Sequence, residues 1–164
     1  MKINFDFHVL LVIVLGLFMV FFVMESRADE ESLWLTTGEW SRHDHNTDCT
    51  AWTTPQCREK YRQNNTGLGI QFNLDADSSF VAGWYNNSVH RESVYMGMTY
   101  APWHIGGAKF GVMGAMATGY TQYGFPPAIP IASLYGSYEY ERFGLNMFWL
   151  PTVVVAIQLK VKVF

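Results

Sequence analysis

The sequence predicts an all-β fold, an eight-stranded antiparallel transmembrane β-barrel of the outer-membrane type, on three observations. The chain of 164 residues is 49% hydrophobic and 16% aromatic, yet only 15% charged, where soluble globular domains carry about 25% charged residues. Beyond Met24 no apolar run reaches the roughly 18 to 20 residues that a spanning helix requires. Segments of about 9 to 11 residues with period-two patterning, the length and rhythm of a membrane-crossing strand, recur instead.

Taken in order, the chain opens on Lys2 and an uninterrupted apolar run from Val9 to Met24, followed by Glu25-Ser26-Arg27-Ala28-Asp29. The run is short for a spanning helix, and Ser26-x-Ala28 offers the small residues that signal peptidase needs, so residues 1–28 read as a cleaved signal peptide. Residues 29–164 are then the barrel domain. Cys49 and Cys57 lie close together in a polar segment of that domain, a pattern that in an oxidising compartment favours a loop-closing disulfide.

Four segments alternate cleanly. Leu68, Ile70, Phe72 and Leu74 alternate with Gly69, Gln71 and Asn73; Val94, Met96, Met98 and Tyr100 alternate with Ser93, Tyr95, Gly97 and Thr99. Further on, Phe143, Leu145, Met147 and Trp149 alternate with Gly144, Asn146 and Phe148, and Ile157, Leu159, Val161 and Val163 with Gln158, Lys160 and Lys162. Leu33 to His43, Ser79 to Asn86, Ala108 to Tyr120 and Ile129 to Tyr138 supply four less regular strands. Eight is a common size for a small even-stranded barrel. Phe164 falls in the Lys160/Lys162 row, out of register with the apolar row that ends at Val163.

Orientation follows from loop length, because such barrels keep short turns on the periplasmic side and long loops outside. The longest connection, residues 44–65, is the first and therefore extracellular. His43, Asn86 to Ser88, Gly124 to Pro127 and Pro151 belong to the same outer rim. Asp75 to Ser78, Pro102 to Gly107 and Glu139 to Arg142 become periplasmic turns. The inward row places Asn73, Thr99, Asn146, Lys160 and Lys162 toward the periplasm and Gly69, Tyr95, Phe148 and Ala156 toward the outer end, a polar floor beneath an apolar chamber. Such a chamber either fits a hydrocarbon tail, with Gly97, Thr99 or Asn146 at its floor setting chain length sterically, or is simply plugged by side chains.

A formal charge of -3 without a Lys/Arg cluster excludes the basic footprint of a nucleic-acid binder. His43 and His45 form an H-x-H around Asp44, but no third ligand accompanies them, so neither a metal nor another cofactor is expected. His43 is the natural general base near neutral pH, and Ser88 offers a nucleophile or an oxyanion donor. Pro126, Pro127, Pro130 and Pro151 gather at the outer ends of the fifth to seventh strands, where their missing N–H groups interrupt the ladder.

Tyr61-Arg-Gln-Asn-Asn-Thr-Gly-Leu-Gly-Ile70, Tyr85-Asn-Asn-Ser88, Pro127-Ala-Ile-Pro-Ile-Ala-Ser133 and Leu150-Pro151 resemble, in order and spacing, the outer-membrane lipid A palmitoyltransferase family. The resemblance runs from about Ser41 to the C-terminus. It implies a monomeric barrel that moves an acyl chain from a phospholipid donor to lipid A, with catalytic residues at the extracellular rim and lateral access for lipid where prolines break the wall. His43 matches the family's histidine and Ser88 its serine. Asn87 stands where the family has Asp, and few residues separate Ala28 from the first strand, leaving no room for the family's N-terminal helix. An amide can orient a histidine but cannot balance an imidazolium as a carboxylate does. The second expectation is therefore a non-catalytic outer-membrane barrel that protects the surface or binds a partner.

Overall fold

A computed structural model describes residues 31–43 and 61–164 of the chain. The expected signal peptide, His45, Cys49, Cys57 and most of the first long loop lie outside the described residues. Eight strands form one closed antiparallel barrel in sequence order: β1 Ser32–His43, β2 Asn64–Asn73, β3 Ser78–Asn86, β4 Glu92–Ile105, β5 Ala108–Thr118, β6 Ala128–Tyr140, β7 Phe143–Leu150 and β8 Val154–Lys162. Pairing of β1 with β8, from Trp34 opposite Lys162 to His43 opposite Val154, closes the cylinder. This is the predicted fold, with every strand in its expected place.

Besides shifts of one or two residues at Ser78, Thr118 and Ala128, the boundaries differ at three points. β4 runs on through Pro102 to Ile105, because a register shift between Tyr100 and Trp103 accommodates a proline that has no ladder donor. β6 likewise continues to Tyr140, so the turn there shrinks to Glu141 and Arg142, with Glu141 in the left-handed region at φ 51. Asn64 and Asn65 belong to β2 rather than to the loop before it.

Period-two alternation makes the barrel apolar outside and polar within. Leu35, Leu68, Ile70, Met98, Val112, Leu134, Leu145, Leu159 and Val161 face outward and are exposed. Trp40, Trp84 and Trp149 lie toward one end of this belt and Tyr100, Trp103, Tyr138 and Tyr140 toward the other, all exposed, as in the aromatic girdles that mark the two membrane interfaces. The opposite parity points inward. Gln71, Asn146 and Lys160 are each no more than 1% exposed, an arrangement that would be prohibitive in a soluble protein with a hydrophobic core of this size.

Those buried groups are paired with one another. Asn146 Nδ2 donates to Gln71 Oε1 at 2.9 Å and to Gln158 Oε1 at 3.1 Å, while its Oδ1 accepts from Tyr135 Oη at 2.9 Å. Gln158 Nε2 reaches Tyr95 Oη at 3.2 Å. Below them Lys160 Nζ meets Glu139 Oε1 at 2.6 Å, donates to Ser137 Oγ at 2.9 Å and lies 4.9 Å from the centroid of the Trp34 ring. The other Glu139 oxygen faces Lys109 at 3.5 Å.

Breaking this central ion pair from one side leaves a charge in a poor solvent. Lys160→Met is expected to lower stability by about 3 kcal/mol, since removing one partner of a buried pair costs on the order of 3 to 5 kcal/mol and Lys109 partly compensates. Lys160→Met combined with Glu139→Gln is expected to recover most of that loss. Urea unfolding of the detergent-folded protein measures both, and a double variant no more stable than the single one would contradict the pairing.

Candidate functional site

The start of β1, the end of β8 and the short turns 74–77, 106–107 and 141–142 share one end of the barrel; His43, the loops 87–91 and 119–127 and the turn 151–153 share the other. The expected rim residues therefore meet at one end. Within that loop end the lumen has two unlike halves, because the inward row changes chemistry around the barrel.

On the β1 to β4 side the inward residues are polar. Asn65, 1% exposed, donates from Nδ2 to Ser41 Oγ at 3.0 Å and to Ser88 Oγ at 3.2 Å, and the two hydroxyl oxygens lie 3.5 Å apart. The backbone N–H of Arg62 donates to the Ser88 carbonyl at 2.8 Å, fixing the loop that carries Ser88. His43, two residues beyond Ser41 on the same face of β1, stacks on Tyr61 at 4.3 Å with an interplanar angle of 12°. Its Nδ1 is buried without a hydrogen-bond partner, as is Asn65 Oδ1. Buried polar atoms without partners call for an explanation, a bound ligand or water among them, and Thr36, Thr99 and Ser133 carry such atoms elsewhere in the barrel.

On the β5 to β8 side the same level is apolar and small. Ala115 and Ala117 of β5, Ile129 and Ile131 of β6, Leu150 of β7 and Val154 and Ala156 of β8 share the inward parity, and Ala117 and Ala156 are 1% and 4% exposed. A small cluster of Ala101, Tyr135, Phe148 and Ala156 lies beneath. The wall is incomplete here. Pairing of β6 with β7 begins only at Leu134 opposite Trp149, so residues 128–133, with Pro130 among them, have no β7 partner. His43 pairs with Val154 and thus stands at the seam between the two halves.

The expected apolar chamber is narrower than the sequence implied. Tyr95 spans the lumen over Gly69 and Gly83, with its hydroxyl 2.7 and 2.8 Å from where a Cβ would sit on each. Space that glycines seem to leave open in the sequence is thus filled from a neighbouring strand, since Tyr95 pairs with Gly83 and Gly83 with Gly69. Asn73, Thr99, Asn146 and Lys160 do form the polar floor.

Asn87 has a different employment from its neighbour Ser88. Fully buried, it accepts from Val89 N at 3.0 Å and Arg91 N at 2.9 Å through Oδ1, and donates through Nδ2 to Ser93 Oγ at 2.8 Å and to the Gly119 carbonyl at 3.2 Å. Ser93 in turn donates its proton to the Thr118 carbonyl at 2.6 Å, so it must accept from Asn87. The first two bonds fold the β3–β4 loop on itself, and the last two tie it to Ser93 of β4 and to Gly119 at the start of the β5–β6 loop. An aspartate offers no donor for the last two. Of the three expected site residues, Ser88 joins Ser41 and Asn65 in the polar cluster, His43 stacks on Tyr61 two residues beyond Ser41, and Asn87 organises the loop that carries Ser88.

Ser41 and Asn65 were not singled out from the sequence, although parity with His43 marks Ser41 as inward. Asn65 was hidden because the loop boundary fell two residues too late. His104 is remote, at the opposite end, where its Nε2 lies 2.9 Å from Asp77 Oδ1.

No family model matches the chain. No curated protein matches it significantly. Among solved structures the barrel is similar to one described as a de novo design of transmembrane β-barrels, with a TM-score of 0.53 at 14% sequence identity, covering 84% of this chain and 100% of the design. At that identity the likeness is one of fold. Together with the outward apolar belt, it defines the chain as a protein of the transmembrane β-barrel class.

The hydrogen bonding of Asn87 makes a directional forecast. Asn87→Asp sets carboxylate oxygens against the Gly119 carbonyl and an already committed Ser93 hydroxyl, and is expected to cost about 1 to 3 kcal/mol, the range for orphaning buried polar groups. Thermal unfolding and protease nicking within residues 87–91 measure it. An aspartate variant as stable as the wild type would contradict the loop-organising role.

Proposed function

We propose that the chain is an outer-membrane acyltransferase that moves an acyl chain from a phospholipid to lipid A, with His43 as general base and Ser88 assisting. The observation that carries this reading is the position of His43. It ends β1 two residues beyond Ser41 of the hydroxyl and amide cluster and pairs with Val154, the first residue of the apolar inward row of β8, at the same end of the barrel where β6 runs on without a β7 partner. In the reaction His43 takes the proton of the acceptor hydroxyl as its oxygen bonds to the acyl carbon. The old ester bond then breaks, and His43 returns the proton to the departing lysophospholipid. Ser88, whose oxygen already accepts from Asn65, keeps its own proton to donate to the oxyanion. Neither a metal nor an organic cofactor enters these steps.

A non-catalytic barrel that protects the surface or binds a partner is the second reading, and one observation favours it. Asn87 spends both side-chain atoms on its own loop, so no residue in the place of the family's Asp is available to orient or balance His43.

Mass spectrometry of lipid A from cells that carry the folded protein in the outer membrane separates the two. An added acyl chain is expected in the wild type. His43→Ala and Ser88→Ala should each lower its appearance by about 100-fold or more, the scale of losing a general acid–base or an oxyanion donor. Unmodified lipid A beside wild-type protein would leave the non-catalytic reading.

A further inference from the structure

We infer that the outer wall of β3 and β4 holds one phospholipid with a zwitterionic, ethanolamine-type headgroup, its chain in an apolar groove and its headgroup between Arg91 and Glu92. This rests on the membrane placement of the barrel and not on acyl transfer, and it names a lipid class that the acyl-transfer reading leaves open.

Two concavities lie end to end on this face. The lower, of about 360 Å³, runs over the lipid-facing side of β1 to β4 and is lined by Leu35, Leu68, Ile70, Ala82, Trp84 and Val94 among others, all apolar. Ala82 makes the dent, being a small residue outward-facing between Phe80 and Trp84 on β3. The upper, of about 660 Å³, is polar and lined by Asn86, His90, Arg91, Glu92, Gly119, Thr121 and Gln122. Outward parity joins them, since Asn86 follows Trp84 on β3 and Glu92 precedes Val94 on β4.

Height and charge identify the occupant. Trp84, 41% exposed, belongs to the girdle at the loop end, so the residues just above it stand at headgroup level. From Met96 to Glu92 the strand rises about 13 Å, enough for a substantial part of an acyl chain below its glycerol. At the top, a guanidinium and a carboxylate occupy successive positions, and among the described residues neither Arg91 nor Glu92 has an ion-pair partner. A free anion suits only the first of these and a free amine only the second. A phosphodiester linked to a primary ammonium suits both, the phosphate taking charge-assisted hydrogen bonds from Arg91 and the ammonium donating to Glu92. Gln122 adds a buried Nε2 without a hydrogen-bond partner at the same concavity, a donor available to the phosphate.

Native mass spectrometry of the folded full-length barrel, released from vesicles of equal parts phosphatidylethanolamine, phosphatidylglycerol and phosphatidylcholine with identical chains, tests this. One retained phosphatidylethanolamine is expected, about tenfold over each of the others. Glu92→Gln should abolish that preference while a lipid is still retained, Arg91→Ala should reduce retention of all three, and Ala82→Leu should do the same by filling the groove. Heat-modifiable gel migration confirms that each variant is folded. Equal retention of the three headgroups by the wild type, a preference for phosphatidylglycerol, or a preference that survives Glu92→Gln would overturn the proposal. Selective retention by a protein that leaves lipid A unmodified would uphold it and fail only the acyl-transfer reading.

Discussion

Closure of the backbone hydrogen-bond ladder is the constraint on which the rest of this structure depends. In hydrocarbon an unpaired N–H or C=O costs several kcal/mol, so strands cross a membrane only when the sheet has no edge. Pairing of β1 with β8 meets that demand, and it fixes the side-chain parity of all eight strands at once. One row must then meet lipid and the other must fill a lumen too narrow to leave empty. The second requirement explains the buried lysine, glutamate and amides. They are affordable because each finds its partner on a different strand, so the same contacts that satisfy them also tie the wall together.

The loop end departs from this economy. There the lumen divides into a polar half and an apolar half, the wall between β6 and β7 loses its ladder, and His43 and Asn65 each carry a buried polar atom without a partner, as Thr36, Thr99 and Ser133 do elsewhere in the barrel. Departures from full satisfaction mark functional sites more often than defects. The division falls at His43, which follows Ser41 on β1 and pairs with Val154 of β8. Asn87 contributes by holding the loop that presents Ser88, a role for which an amide is chemically better suited than a carboxylate.

The fold was legible in the sequence because period two is a direct readout of a wall with lipid on one side, and because strand number follows from counting. Strand ends were less so. Pro102 and Glu139 read as turn residues in isolation, yet a bulge absorbs the first and an ion pair with Lys160 holds the second within β6. Site residues divided along similar lines. His43 and Ser88 announced themselves by chemistry at a rim position, whereas Ser41 and Asn65 acquire meaning only from cross-strand contact, at separations of 47 and 23 residues from Ser88. The chamber was overestimated for a related reason, as a glycine shows where a side chain is missing but not which cross-strand tyrosine fills the gap.

Two native tryptophans offer the most direct measurement of the inside-out barrel. Trp34 faces the lumen at 2% exposure, while Trp149 faces outward at 44%. Single-tryptophan variants retaining one or the other, folded into vesicles whose acyl chains carry bromine, report lipid contact by quenching. Strong quenching of Trp149 with little quenching of Trp34 is the result a closed transmembrane barrel requires. Equal quenching of the two, or a stronger effect on Trp34, would contradict it.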